Sequence, residues 1–98
     1  MEIIKEAQDK QLTITLVGRL DTITSRDLDE EIATCLEGVE TLIYDFKELE
    51  YVSSAGLRVL LKSQKTMNKQ GKMIIKNVAE SIMDIFEVTG FSEIFDVQ

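Results

Sequence analysis

Histidine, proline and tryptophan are absent from this sequence of 98 residues, and cysteine occurs once. Without an imidazole base a Ser-His-Asp triad is excluded, and a lone thiol cannot assemble a zinc site of the usual Cys/His type. We therefore expect no metal site and no cofactor. The single cysteine, Cys35, also excludes an intrachain disulfide, and it is expected to pack in the core as a small hydrophobic residue.

Long apolar runs are absent as well. No segment approaches the roughly 18 apolar residues of a membrane span, and the amino terminus lacks the layout of a signal peptide. These features predict a cytoplasmic protein that does not associate with a membrane. The formal net charge of -7 argues against nucleic-acid binding, because contacts with phosphates need an electropositive surface. A basic or mixed-charge protein is the better partner.

The composition that remains is typical of one folded domain. Hydrophobic residues make up 44% of the chain and charged residues 30%, which excludes a disordered polymer. The length fits a single domain over residues 1–98 with one modest core.

Hydrophobic periodicity predicts strands first and then a helix. Residues 2 to 7 and 11 to 17 alternate in polarity and are expected to form an antiparallel hairpin. Helical spacing of apolar residues begins at Ser25, behind a predicted capping box of Thr24 and Asp27.

The second half of the chain repeats the alternation. Two short apolar runs, residues 41 to 46 and 72 to 76, are expected to be strands covered on both faces. A helix from Ser54 to near Gln70 lies between them, and a last helix follows residue 77. Three glycines are predicted to end the three helices: Gly38, Gly71 and Gly90.

The resulting order is ββαβαβα, with room for a turn and a short edge strand in residues 92 to 98. This order predicts the α/β class. We expect a mixed, mostly parallel sheet with an N-terminal antiparallel hairpin and right-handed crossover helices.

Polar residues follow several of the predicted strands, at the edge where functional groups of such sheets collect. Asp21 follows the second strand, Asp45 ends the third, Ser53 and Ser54 open the next helix, and Asn77 follows the fourth strand. We expect all of them along one edge. Each also has a structural interpretation, because Asp, Asn and Ser are preferred helix caps, and Ser54 is a candidate N-cap.

The helix after Ser54 also carries basic residues at helical spacing. They are Arg58, Lys62, Lys65 and Lys69. Such a stripe is either a solvated face or a contact surface for an acidic partner.

No motif for catalysis accompanies these residues. The segment around Ser54 superficially resembles a nucleophile elbow but lacks the leading glycine. The glycine patterns of a P-loop and of a dinucleotide-binding turn are absent too. We predict that the chain is not an enzyme.

Two segments carry a family resemblance. Residues 45 to 61, DFKELEYVSSAGLRVLL, are similar to the Asp-Ser-Ser/Thr-Gly-Leu signature of anti-sigma factor antagonists of the STAS family. Residues 17 to 21, VGRLD, resemble the family's Val-x-Gly-x-Leu-Asp element. The chain departs from the commonest pattern at Ser53, where Asp often stands, and at Ala55, where Ser or Thr often stands.

The resemblance implies a single STAS domain over residues 1–98 and a phosphorylation switch. Ser54 falls on the family's phosphoacceptor serine, with Ser53 as the alternative acceptor. The same resemblance implies a phosphorylation loop around Ser54, formed by Ser53, Ala55, Gly56 and Leu57. It also implies a docking surface for the partner, formed by Asp21, Asp45 and Arg58.

In the family, the unphosphorylated antagonist binds an anti-sigma factor that is also a serine kinase, which releases a sigma factor. Phosphorylation by that kinase breaks the complex, and a PP2C-type phosphatase restores it. ATP belongs to the kinase in this scheme.

Two other functions remain open from the sequence. A STAS domain of this kind can be a subunit of another assembly, such as a lipid-transport ATPase complex, that docks without a phosphorylation cycle. The polar cluster at the sheet edge can instead bind a nucleotide directly, through Asp21 or Asn77, or carry out chemistry itself.

Overall fold

The computed structural model describes all residues, 1–98, and contains the predicted order of elements followed by a short fifth strand. The elements are β1 Glu2–Gln8, β2 Gln11–Leu20, α1 Thr24–Cys35, β3 Thr41–Val52, α2 Ser54–Asn68, β4 Lys72–Lys76, α3 Glu80–Thr89, a 3-10 turn Phe91–Glu93 and β5 Asp96–Val97.

The five strands form one sheet in the order β1-β2-β3-β4-β5. The β1–β2 pair is antiparallel and the other three pairs are parallel. This confirms the predicted α/β class, a mixed and mostly parallel sheet with an N-terminal antiparallel hairpin. None of the helices has the length and apolar character needed to cross a bilayer.

All three helices lie on one face of this sheet. Each parallel strand is added on the same side of its predecessor, and right-handed crossovers then place every connecting helix on the same face. The expectation that β3 and β4 are covered on both faces is therefore met only in part. No helix covers the outer face, but Ile43 and Ile74 on that face are still buried, outside the main core cluster.

The core fills the space between the helices and the inner face of the sheet. Tyr44 of β3 is fully buried there, and its hydroxyl lies 2.8 Å from the Ser63 hydroxyl of α2. Desolvation raises the pKa of Tyr44, so the phenol stays neutral. Cys35 packs against this core from the end of α1 but is only partly buried, so the prediction of a core position is met only at the core's margin.

Two of the three predicted helix-ending glycines adopt the left-handed conformation. Gly38 has φ +78° after α1, and Gly90 has φ +83° as the C-cap of α3. Gly71 has a different role, because α2 ends at Asn68, before the predicted position near Gln70. A Cβ at residue 71 would lie only 1.9 Å from the carbonyl oxygen of Glu40. Gly71 is therefore required by the close approach of two backbone segments.

Replacing Gly71 by alanine should destabilise the fold by about 2 to 3 kcal/mol, because the methyl group meets backbone that cannot rotate away. The matched control is Gly38→Ala, where a methyl group meets nothing and only the left-handed conformation costs about 1 kcal/mol. Urea denaturation of both variants measures the two losses. Equal losses in the two variants would show that the clash with the Glu40 backbone does not determine the stability of Gly71→Ala.

Candidate functional site

The third strand is longer than predicted, and this divides the expected cluster of polar residues. The prediction ended this strand at Asp45, but β3 continues to Val52. β4 pairs with β3 only as far as the Asp45–Lys76 pair, so the last seven residues of β3 pair with β2 alone. At about 3.3 Å per residue, Asp45 and Val52 are on the order of 20 Å apart.

The structure therefore does not bring all the predicted residues together. Asp45 and Asn77 form one group, at the end of the short strand β4. Asp21, Ser53 and Ser54 form another, at the shared end of β2 and β3. The prediction of a single cluster failed because Lys47, Glu48 and Glu50 made a strand segment with one exposed side look like a loop.

Asp45 and Asn77 are bonded to each other. The Asn77 side-chain amide donates to Asp45 Oδ1 at 3.0 Å, and the Lys47 backbone N–H donates to the same oxygen at 2.9 Å. Partial burial opposes ionisation, but these bonds, with Lys47 and Lys76 nearby, hold the pKa of Asp45 below its ordinary value. Asn77 has φ +59°, and α3 begins later, after Ala79, so Asn77 does not cap that helix as predicted.

Asp21 caps the turn that leads into α1 through a reciprocal pair of hydrogen bonds with Thr24. The helix α1 itself begins at Thr24, but the Asp21 carbonyl oxygen already accepts a helical bond from the Ser25 N–H at 2.9 Å. Asp21 Oδ1 accepts from the Thr24 backbone N–H at 2.9 Å, and the Thr24 hydroxyl accepts from the Asp21 backbone N–H at 2.9 Å. Ile23 N–H also donates to Asp21 Oδ1, at 3.0 Å. This is a capping box three residues before the predicted Thr24–Asp27 box, which does not form. Asp21 Oδ2 accepts no hydrogen bond from the chain and remains free.

The hydrogen bonds explain the acidity of this carboxyl group. The Thr24 backbone amide, the Thr24 hydroxyl and the Ile23 amide stabilise the ionised form and lower the pKa of Asp21, with the positive charge of Arg19 adding to the effect. Asp21 is therefore ionised at neutral pH, and it directly follows Leu20, whose carbonyl oxygen meets the start of α2.

Ser53, and not Ser54, caps the second helix. Its hydroxyl accepts from the Gly56 backbone N–H at 3.2 Å, and its own N–H donates to the Leu20 carbonyl oxygen at 2.8 Å. Ser53 is half-buried and has extended backbone, as an N-cap requires. The prediction that Ser54 is the N-cap is wrong. Ser54 is the first helical residue, it is exposed, and its hydroxyl makes no hydrogen bond within the chain.

Gly56 explains how this helix start reaches the end of β2. A Cβ at Gly56 would lie 2.7 Å from Leu20 Cγ and 3.0 Å from the Leu20 carbonyl oxygen. Gly56 and Leu57 are both buried. Because no side chain separates α2 from β2 at this point, Ser54 is held next to Asp21.

A groove separates the starts of α1 and α2. Its open volume is about 250 Å³, and it is lined by Thr22, Ser25, Arg26, Asp29, Ala55, Arg58 and Val59. Arg58 was predicted from the sequence, whereas Arg26 was not, because the pattern of α1 gave no sign that it faces α2. A larger groove of about 410 Å³ lies around the β1–β2 turn, at the other end of the sheet, and contains none of the predicted site residues.

The predicted basic stripe is partly used within the fold. Lys62 of α2 binds Asp29 of α1 across the groove, with 2.9 Å between Nζ and Oδ1. Arg58 forms no ion pair and no hydrogen bond, although it lies in the same groove. Lys65 and Lys69 form no ion pair either, so Arg58 is the free basic residue of the stripe that lies nearest to Ser54.

These features define an α/β domain that presents an unbonded serine hydroxyl at the start of a helix, beside an ionised aspartate. The STAS domain family model matches residues 2–98, and the chain belongs to the STAS family. The family resemblance noted in the sequence is thereby confirmed.

Relatives and solved structures agree with this assignment. The chain is 30% identical over 99 residues to BtrV of Bordetella bronchiseptica, which is named as an anti-sigma factor antagonist, with 99% of this chain and 85% of BtrV covered. It is 26% identical over 90 residues to the anti-sigma-B factor antagonist of Bacillus subtilis, covering 91% of this chain and 83% of that protein.

The fold is also that of the anti-sigma factor antagonist SpoIIAA of Bacillus. The unphosphorylated form matches with a TM-score of 0.79 and 20% identity, covering 99% of this chain and 87% of SpoIIAA. The phosphorylated form matches with a TM-score of 0.78 and 21% identity, covering 99% of this chain and 91% of SpoIIAA.

The capping role of Asp21 can be tested by measuring the pKa of its carboxyl group. We expect the pKa of Asp21, followed by carbon NMR, to lie below its ordinary value, and to rise in Thr24→Val, which loses the hydroxyl but keeps the backbone donor. Because the folded pKa is depressed, the stabilisation is present above the unfolded pKa and is lost as the pH falls through the folded one. An unshifted Asp21 in the parent chain would contradict the capping role.

Proposed function

We propose that this chain is an anti-sigma factor antagonist whose binding is switched by phosphorylation of Ser54. In its unphosphorylated form it binds an anti-sigma factor that is a serine kinase, and a sigma factor is released. A PP2C-type phosphatase reverses the modification. The chain acts in the cytoplasm as a binding partner and not as a catalyst, and ATP is bound by the kinase.

The observation that carries this proposal is the division of roles between the two serines. The Ser53 hydroxyl is occupied by its bond to the Gly56 amide and is half-buried. The Ser54 hydroxyl is exposed and free, so a kinase can reach it without opening the helix. Ser54 is therefore the better phosphoacceptor. Ala55 has no hydroxyl and cannot accept a phosphate.

Phosphorylation at this position is compatible with the fold. A phosphate adds about -1.5 to -2 charge, which is favourable at the positive end of a helix. The cap of α2 is supplied by Ser53, so modification of Ser54 removes no hydrogen bond that the helix needs. We expect the modified and unmodified domains to share one fold.

The same charge opposes partner binding. It makes the net charge more negative, from -7 to about -9, and places the new charge near the ionised Asp21. A partner surface that fits the unmodified site closely then has to desolvate or repel a phosphate. This supports a switch in affinity without refolding.

The docking surface includes the free oxygen of Asp21, the Ser54 turn and Arg58, which lie around the shared end of β2 and β3. Asp45 belongs to a second contact region, since the structure separates it from Ser54 along β3. The names of BtrV and the Bacillus subtilis relative support an antagonist and not a lipid-transport subunit.

The phosphoacceptor is tested by incubating the domain with ATP and an anti-sigma factor serine kinase of the same organism, and mapping phosphate by mass spectrometry. We expect phosphate on Ser54 in the parent chain and in Ser53→Ala, and none in Ser54→Ala. Ser53→Ala should also lower the free energy of unfolding by about 1 kcal/mol, because α2 loses its cap. Phosphate on Ser53 alone, or on neither serine, would contradict the proposal.

The switch itself is tested by measuring kinase affinity for charged variants. Ser54→Ala should bind as the parent chain does, whereas Ser54→Glu should bind about tenfold more weakly, because of like-charge repulsion and desolvation. Ser81→Glu is the matched control, since Ser81 is an exposed serine in the first turn of α3. Equal affinities of Ser54→Glu and Ser81→Glu would refute a local electrostatic switch.

A further inference from the structure

Two arginines that face the groove beside Ser54 have no partner in the fold. Arg58 of α2 and Arg26 of α1 both line this groove, and neither forms an ion pair or a side-chain hydrogen bond. The ion pairs of the fold use only lysines, namely Lys5, Lys10 and Lys62, so both guanidinium groups keep their charge available for a ligand.

The helix geometry directs Arg58 toward Ser54. The two residues are four apart in α2, which places their Cβ atoms about 5 to 6 Å from each other on one helix face. Side chains on a helix lean toward its amino terminus, so the long Arg58 side chain extends over the turn that contains Ser54. Arg26 approaches the same space from the other wall of the groove.

The carboxylate that lines the groove does not compete for these arginines. Asp29, which also lines the groove, is paired with Lys62 at 2.9 Å. Asp21 directs Oδ1 at the amides and hydroxyl of its own capping box. The charged groups around Ser54 are therefore two free arginines, the Lys62–Asp29 ion pair, and the capped carboxylate of Asp21 with Arg19 nearby.

We infer that Arg58, assisted by Arg26, binds the phosphoryl group of phosphorylated Ser54 within the same chain. A guanidinium group suits this ligand, because its planar N–H donors match two phosphate oxygens at once. A negative group that precedes a positive one by four residues is also the favourable orientation for a pair on a helix. This inference rests on the proposed use of Ser54 as phosphoacceptor.

The consequence is that phosphorylation changes the docking surface in two ways. It adds negative charge at Ser54, and it removes Arg58 from the groups that are free to contact an acidic partner. A single modification therefore adds a negative charge to the interface and also makes the positive charge of Arg58 unavailable to a partner.

The test uses the full chain with phosphoserine incorporated at position 54 during translation, and it measures the second pKa of the phosphate by phosphorus NMR. This pKa is ordinarily about 6. A bound guanidinium lowers it, so we expect it to be about half a unit higher in Arg58→Gln than in the parent phosphoprotein. Arg26→Gln should raise it by less, and Arg58→Lys should leave most of the lowering in place.

The matched control is Lys65→Gln, which removes one positive charge from an exposed position of the same helix. Lys65 lies about 16 Å from Ser54 along the axis of α2, which is beyond the screening length at ordinary salt. The Lys65→Gln substitution should therefore leave the phosphate pKa unchanged. An unshifted pKa in Arg58→Gln, or an equal shift in Lys65→Gln, would overturn the inference.

The design separates this inference from the proposed function. Phosphoserine is installed without a kinase, so a kinase that ignores Ser54 contradicts the function and leaves the phosphate titration interpretable. Conversely, a phosphate pKa indifferent to Arg58 overturns the inference and leaves Ser54 as the phosphoacceptor.

Discussion

The contact between the start of α2 and the end of β2 determines the geometry of the site. Gly56 packs directly on Leu20, and the Ser53 N–H donates to the Leu20 carbonyl oxygen. No side chain fits between these two segments. The contact thus holds the Ser54 turn against the residue that follows Leu20, which is Asp21. Every electrostatic property proposed for the site depends on this short distance between a helix start and a strand end.

Around that contact, structural and functional roles are assigned to different atoms. Ser53 supplies the helix cap, and Ser54 is left with an unbonded hydroxyl. Asp21 uses one carboxylate oxygen for its capping box, and the other oxygen accepts no hydrogen bond from the chain. Because the bonds that hold the fold do not involve the exposed atoms, the exposed atoms can change their chemical state while the backbone stays in place.

Periodicity was sufficient to predict the fold class, because the alternation of residues 11 to 17 and the helical spacing after Ser25 are strong local signals. The length of β3 was not predictable in this way. Its last seven residues have a strand on one side only, and a segment with one exposed side tolerates the charged residues that usually indicate a loop. Because the extension of β3 was not predicted, the separation of Asp45 from Ser54 was not predicted either.

The site residues were predictable to a different degree. Ser54 was found because a motif resemblance marked it, whereas the choice of Ser53 as cap depends on a bond to the Gly56 amide that spacing alone cannot distinguish. The Asp21–Thr24 box was missed in favour of Thr24–Asp27, since both pairs have the same three-residue spacing. Arg26 was missed because its relevance comes from the packing of α1 beside α2.

The capping box at Asp21 has an evolutionary consequence. Asparagine is as good a helix cap as aspartate, because its side-chain oxygen accepts the same backbone bonds. An exchange of one for the other would keep α1 intact while erasing a negative charge from the interface. Duplicated copies of such a domain within one cell are therefore able to diverge in partner preference at this position without first losing the ability to fold.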